Sequence, residues 1–140
     1  MNRSLLKLAL TFLVTSVLYS TPGATQVSPT TAKAAHVRIT QGPELEAATP
    51  NVVIITWTCN NPGGSPQHYG VVHYGTNPKD LSKTAKNPIR LNPGHPHTVF
   101  RVRMDGLPPR TKYYYKVESI ESNGKSDGVT SPIKNFTTPG

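Results

Sequence analysis

Apolar and polar residues alternate with a period of two in several short runs, the pattern of a strand with one buried face. Val53, Ile55 and Trp57 share one side of Val52–Thr58, and Val72 and Tyr74 share one side of Tyr69–Tyr74. From His97 to Met104, Phe100, Val102 and Met104 alternate with Arg101 and Arg103. From Tyr113 to Ile120, Tyr113, Tyr115 and Val117 alternate with Tyr114, Lys116 and Glu118. A shorter alternator, His36–Gln41, carries Val37 and Ile39 on one face and is predicted to stop at Gly42-Pro43. Between Lys79 and Pro96, the residues Pro88, Pro93 and Pro96 leave room for one or two weak edge strands. The Asn123-Gly124 turn leads to a last strand near Ile133–Thr137. About seven short strands with turn signals between them, and no amphipathic helix, predict an all-β sandwich.

The first residues have a different texture. Arg3 and Lys7 precede an apolar stretch from Leu8 to Tyr19, which is followed by small residues. This reads as a signal peptide over residues 1–23, with cleavage expected somewhere in 20–35. The apolar stretch falls short of the ~20 residues a membrane-crossing helix needs, so no stable membrane span is expected after processing. Residues 24–35 are Ser, Thr, Ala, Gly and Pro without periodicity and read as a flexible linker to a domain over 36–140. The expected location is secreted, periplasmic or in the cell envelope.

Composition narrows the chemistry. The 140 residues include 14 prolines, one cysteine and seven carboxylates against 15 Lys and Arg. A disulfide scaffold and a carboxylate-rich metal centre are both excluded. The formal charge of +8 falls to +6 once Arg3 and Lys7 leave with the signal. A basic exported chain favours an anionic envelope polysaccharide or a protein partner over nucleic acid. Cys59 follows Trp57 by two residues on the same strand face and is expected to be a buried, inert thiol.

At Leu107-Pro108-Pro109-Arg110-Thr111-Lys112-Tyr113 the chain resembles the fibronectin type III signature. The resemblance implies that Leu107 plugs the core, that Trp57 is the core tryptophan, and that the Tyr113 hydroxyl bonds back to the upstream chain as a corner. A narrower resemblance spans His36–Gly140. It is carried by His36-Val37-Arg38-Ile39-Thr40-Gln41-Gly42, Ile55-Thr56-Trp57, Val72-His73-Tyr74-Gly75, His97-Thr98-Val99, Tyr113-Tyr114-Tyr115-Lys116-Val117 and Phe136-Thr137-Thr138-Pro139. In order and spacing these are similar to the N-terminal domain of purple acid phosphatases. In those enzymes a metallophosphoesterase domain follows and holds the two metals, and Gly140 falls where it would begin. Asp80, Asp105 and Asp127 stand outside the metal-binding contexts of that family, so the resemblance implies a fold without a catalytic site, no cofactor and no enzyme activity.

The remaining candidates are weighed on residue chemistry. Gly94-His95-Pro96-His97 matches a phosphatase metal motif as a string, but two histidines supply half of a closed site, so His95 and His97 read as a decoy. Cys59, His68, His73 and Met104 are copper-ligand types at spacings that do not suit a blue-copper site. Two surfaces are expected to be exposed. Tyr69, Val71 and His73 beside Tyr114, Lys116 and Ile120 would form a contact face for a protein or glycan. Arg38, Arg101 and Arg103 flanking Thr56 would form a basic stripe for an anionic polymer.

Overall fold

Burying every second side chain of Asn51–Asn60 requires a second apolar layer facing it, and the chain supplies one. The computed structural model describes residues 32–140 together with Gly23. The expected signal peptide and most of the expected linker lie outside the described residues. Among the described residues the regular elements are eight strands: β1 (Ile39–Thr49), β2 (Asn51–Asn60), β3 (Gln67–Gly75), β4 (Lys83–Arg90), β5 (His97–Leu107), β6 (Lys112–Glu121), β7 (Ser126–Thr130) and β8 (Lys134–Thr137). They form two antiparallel sheets, β1-β2-β5 and β4-β3-β6-β7, with β8 also pairing to β6.

The inward faces meet as the alternation predicts. Val53, Ile55, Trp57 and Cys59 of β2 and Phe100, Val102 and Met104 of β5 pack against Val72 of β3, Tyr113, Tyr115 and Val117 of β6 and Phe136 of β8. Trp57 stacks on Phe100 with ring centroids 5.3 Å apart. The indole N–H is buried without a hydrogen-bond partner among the described residues. That costs ~1–3 kcal/mol, which the large apolar area of the ring offsets.

One feature of the strand pattern differs from expectation. β1 does not stop at Gly42-Pro43 but runs on to Thr49. It is an edge strand, so a proline there removes no ladder donor, and register shifts at Ile39/Gln41, Gln41/Glu44 and Leu45/Ala47 absorb the irregular residues as bulges. Gly42 sits at φ 74°, and a Cβ there would lie 2.9 Å from the Thr56 carbonyl oxygen, so only glycine lets β1 pass. Between Lys79 and Pro96 the chain forms one edge strand, β4, with Pro88 on it opposite Tyr69.

The corner expected at Tyr113 is built otherwise. The ring is buried, stacked on Phe136 at 5.6 Å and edge-on to Tyr74 at 5.9 Å, and its hydroxyl finds no hydrogen-bond partner among the described residues. Thr138 ties the β5–β6 crossing instead. Its hydroxyl donates to the Pro108 carbonyl at 2.6 Å and accepts from the Thr111 amide at 2.8 Å. Leu107 and Trp57 are buried in the core.

Gly70 of β3 faces the Trp57–Phe100 stack. A Cβ there would lie 3.0 Å from Trp57, 3.1 Å from Val102 and 3.2 Å from Phe100. Gly70→Ala therefore overpacks three core side chains at once and is expected to lower the unfolding free energy by about 1–3 kcal/mol in urea denaturation. Gly94→Ala, whose Cβ would meet only Asn92 Oδ1 at 3.5 Å, should change it by less than ~0.5 kcal/mol.

Candidate functional site

The densest chemistry lies at the end of the sandwich where β2 finishes and β3 begins. The β6–β7 pairing shifts register between Glu118 and Ile120, leaving Ser119 outside the regular ladder. Both Ser119 and Asp127 are buried. His68, on the inward parity of β3, meets them with no exposed surface. Its Nδ1 lies 2.8 Å from Asp127 Oδ2 and its Nε2 lies 3.1 Å from the Gly63 carbonyl oxygen. Both partners are acceptors, so each contact is made only by a ring nitrogen that carries a proton. Ser119 donates to the same Asp127 oxygen at 2.6 Å. Lys33 bonds the other Asp127 oxygen and lies 2.9 Å from Glu121. Ala34 donates its amide to the Pro62 carbonyl at 2.9 Å, so the residues just before His36 are fastened to the sandwich.

Ser, His and Asp are together here, but in the wrong order for nucleophilic catalysis. The hydroxyl donates to the carboxylate and not to the imidazole, and all three side chains are buried. The cluster is a structural clasp. Burial alone would raise the Asp127 carboxyl, but the bonds from His68, Lys33 and Ser119 outweigh it and hold the group below its ordinary value. Burial, with the Asp127 charge nearby, pushes the Cys59 thiol up to about 12. The alternation of β3 carries the one sequence signal for this clasp, because it turns His68 inward. Its partner Asp127 comes from a bulged edge strand that no periodicity marks.

The other candidates scatter. His73 lies on the outer face of β3, 2.7 Å from Glu118, while Cys59 is in the core and Met104 pairs far along β5 opposite Val53, so the copper-ligand types do not converge. Tyr69 pairs with Ile120 and His73 with Lys116, and Tyr114 lies opposite Gly75 under the Lys112 ammonium, 5.3 Å from its ring centre. Val71 shares this face yet is only 2% exposed, because its central strand sets it between Glu118 on one side and Lys86 on the other. The basic stripe is interrupted. Arg101 is bound by Glu46 through two nitrogens, and Arg103 donates to Asp105 at 2.8 Å. Arg101 lies opposite Thr56, whereas Arg38 bonds Asn60, four residues and ~13 Å farther along β2. Among the described residues no three His, Cys, Asp or Glu side chains gather as a metal-binding group. His95 and His97 line a surface cleft of about 260 Å³ with Ile89, Arg90, Asn92, Thr98 and Val99. No helix among the described residues is long and apolar enough to cross a membrane.

Residues 36–138 match the family model for the purple acid phosphatase N-terminal domain. No curated protein matches the chain significantly. Among solved structures, the sensor domain of the anti-sigma factor RsgI4 from Pseudobacteroides cellulosolvens is similar in a longer and a shorter form. The longer form has 18% sequence identity and a TM-score of 0.50, with 74% of this chain and 89% of that one covered. The shorter form has 17% identity and a TM-score of 0.51, with 76% and 98% covered. At this identity the likeness is one of fold.

Two outcomes test the clasp. Asp127→Ala leaves Ser119 and His68 buried without their acceptor and Lys33 without its ion-pair partner there, and should cost about 3–5 kcal/mol at neutral pH. Because the folded carboxyl is depressed, its contribution is complete above the ordinary aspartate range near pH ~4 and is lost as pH falls through the lower folded value. Urea midpoints measured from pH 7 down to pH 2 should fall on the acid side for the parent, with a smaller acid-side fall for Asp127→Asn. Cys59 should resist thiol reagents in the folded domain and react at a rate set by unfolding, which stopped-flow labelling across a urea series reads directly.

Proposed function

Since the chain belongs to the family of purple acid phosphatase N-terminal domains, we propose that it is an exported, non-catalytic module that binds or positions a partner, either a protein or an anionic envelope glycan. The observation that carries this reading is the outer face of the five-stranded sheet. Pro88, Tyr69 and Ile120 form an apolar row across β4, β3 and β6, with His73, Lys116 and Tyr114 beside it. Tyr69, His73, Tyr114, Lys116 and Ile120 are each half-buried, which leaves ring and aliphatic surface available on a rigid ladder. Aromatic side chains supply contact area at low entropic cost. The similar RsgI4 domains are sensor domains by name, in keeping with a recognition role on this architecture.

A second reading is favoured by the family itself: the domain serves a purple acid phosphatase-type metallophosphatase as an accessory or detached N-terminal module. Phosphatase activity would then belong to the partner. Two measurements on the purified domain decide between binding and catalysis. Phosphomonoester hydrolysis assayed with added iron, zinc or manganese should show no metal-dependent turnover, and such turnover would overturn the non-catalytic reading. Tyr69→Ala combined with Tyr114→Ala should abolish capture of native envelope protein partners while the thermal midpoint shifts little. Unchanged capture would remove the sheet face from consideration.

A further inference from the structure

The chain has seven carboxylate side chains, and the structure accounts for where each is held. Glu46 and Asp105 are in ion pairs with Arg101 and Arg103, Glu121 and Asp127 with Lys33, and Glu118 is bonded to His73. Glu44 lies on β1 opposite Thr56, and Asp80 lies in the β3–β4 turn bridged to Asn77. None reaches the cleft between the end of β4 and the start of β5, where Arg90, His95 and His97 line one opening. The Arg90 guanidinium there has no carboxylate partner, and the two imidazoles stand beside it as further hydrogen-bonding groups.

The cleft presents donors and an apolar wall. Asn92 Oδ1 accepts from the Gly94 amide at 3.0 Å, which turns its amide nitrogen into the available group. Ile89 and Val99 supply aliphatic surface, and Val99 is 51% exposed. The loop is held from beneath. The Asn61 side-chain amide donates to the Asn92 carbonyl at 2.9 Å and to the His95 carbonyl at 2.8 Å, and its backbone amide donates to the Pro96 carbonyl at 2.8 Å. Leu91 is buried and its amide bonds the Pro66 carbonyl at 2.9 Å. A site fixed in this way loses little freedom on binding.

We propose that this cleft binds the carboxylate of a uronic acid unit in an acidic glycan. Arg90 takes the carboxylate through its planar guanidinium, His95, His97 and the Asn92 amide take the remaining carboxylate or ring oxygens, and Ile89 with Val99 lie against the apolar face of the sugar. The volume suits one sugar unit and lies just below the ~300 Å³ at which drug-sized pockets begin. The inference rests on the domain being a binding module and uses a surface separate from the sheet face.

The test is titration of the isotope-labelled domain with a galacturonate trimer, the matching neutral galactose trimer and inorganic phosphate, read from backbone amide shifts and by calorimetry. The uronate oligomer should saturate, with shifts centred on Arg90 to Val99, and the neutral oligomer should not. Arg90→Ser should weaken binding at least about tenfold, and His95→Ala with His97→Ala should do the same, while Tyr69→Ala with Tyr114→Ala leaves it unchanged. Absence of saturation, an affinity indifferent to Arg90→Ser, or displacement by an equal concentration of phosphate would each overturn the uronate site. A domain that keeps its sheet-face partner but ignores the oligomer overturns the cleft alone; one that binds the oligomer while the tyrosine variant keeps every partner overturns the sheet face alone.

Discussion

A carboxylate without solvent access must be surrounded by donors, and Asp127 imposes that condition on five separate pieces of the chain. An ion taken out of water costs several kcal/mol unless each oxygen is bonded and an opposite charge is close. Here His68 and Ser119 share one oxygen and Lys33 holds the other. Those partners come from β3, β6 and the lead-in segment, and His68 recruits the Gly63 carbonyl of the β2–β3 loop as well. The bulge that turns Asp127 inward also sets where β7 lies against β6. One buried charge thereby fixes the position of an edge strand, a loop and the entry of the chain.

The same scarcity of carboxylates shapes the outside. With seven acidic side chains, four of them in ion pairs with Lys or Arg, the basic excess is left wherever the fold does not bring an acid near. On the three-stranded sheet Glu46 and Asp105 are near, so Arg101 and Arg103 become ion pairs of the exposed kind that contribute little stability and offer little free charge. At the β4–β5 loop none is near. Where the positive charge remains unopposed is a result of register and not of the count of basic residues along a strand.

Strand alternation was legible because burial of one face enforces a period of two, which β2 and β6 follow throughout and β5 follows up to Met104, while β3 breaks it at Val71. The family resemblance over His36–Gly140 rested on these same strands and agrees with the matched range of 36–138. What alternation could not carry is pairing. The passage of β1 through Gly42-Pro43 depends on its being an edge. The burial of Val71 depends on having neighbours on both sides. Neither the Arg101–Glu46 pair, 55 residues apart, nor the His68–Asp127 pair, 59 apart, has a local signature. His95 and His97 were marked by spacing as a metal-like string, and it is the partners Arg90 and Asn92 that give the loop a different chemistry.

The clasp and the cleft occupy one end of the sandwich and share a loop. His68 pairs with Ile89 across β3 and β4, and Ile89 lines the cleft. Within the β2–β3 loop, Asn61 supports the cleft from below, its side-chain oxygen accepts from the Gly63 amide at 3.0 Å, and the Gly63 carbonyl faces His68. A continuous line of hydrogen bonds therefore runs from the buried Asp127 carboxylate through His68 and Gly63 to Asn61 and the backbone of Asn92 and His95. Hydrogen-bonded chains of this kind have few alternative arrangements once every donor is used. The buried charge is thus more than a fastening for the lead-in and β7. Through Asn61 it also braces the loop that carries His95, at the cleft where Arg90 stands without a carboxylate partner.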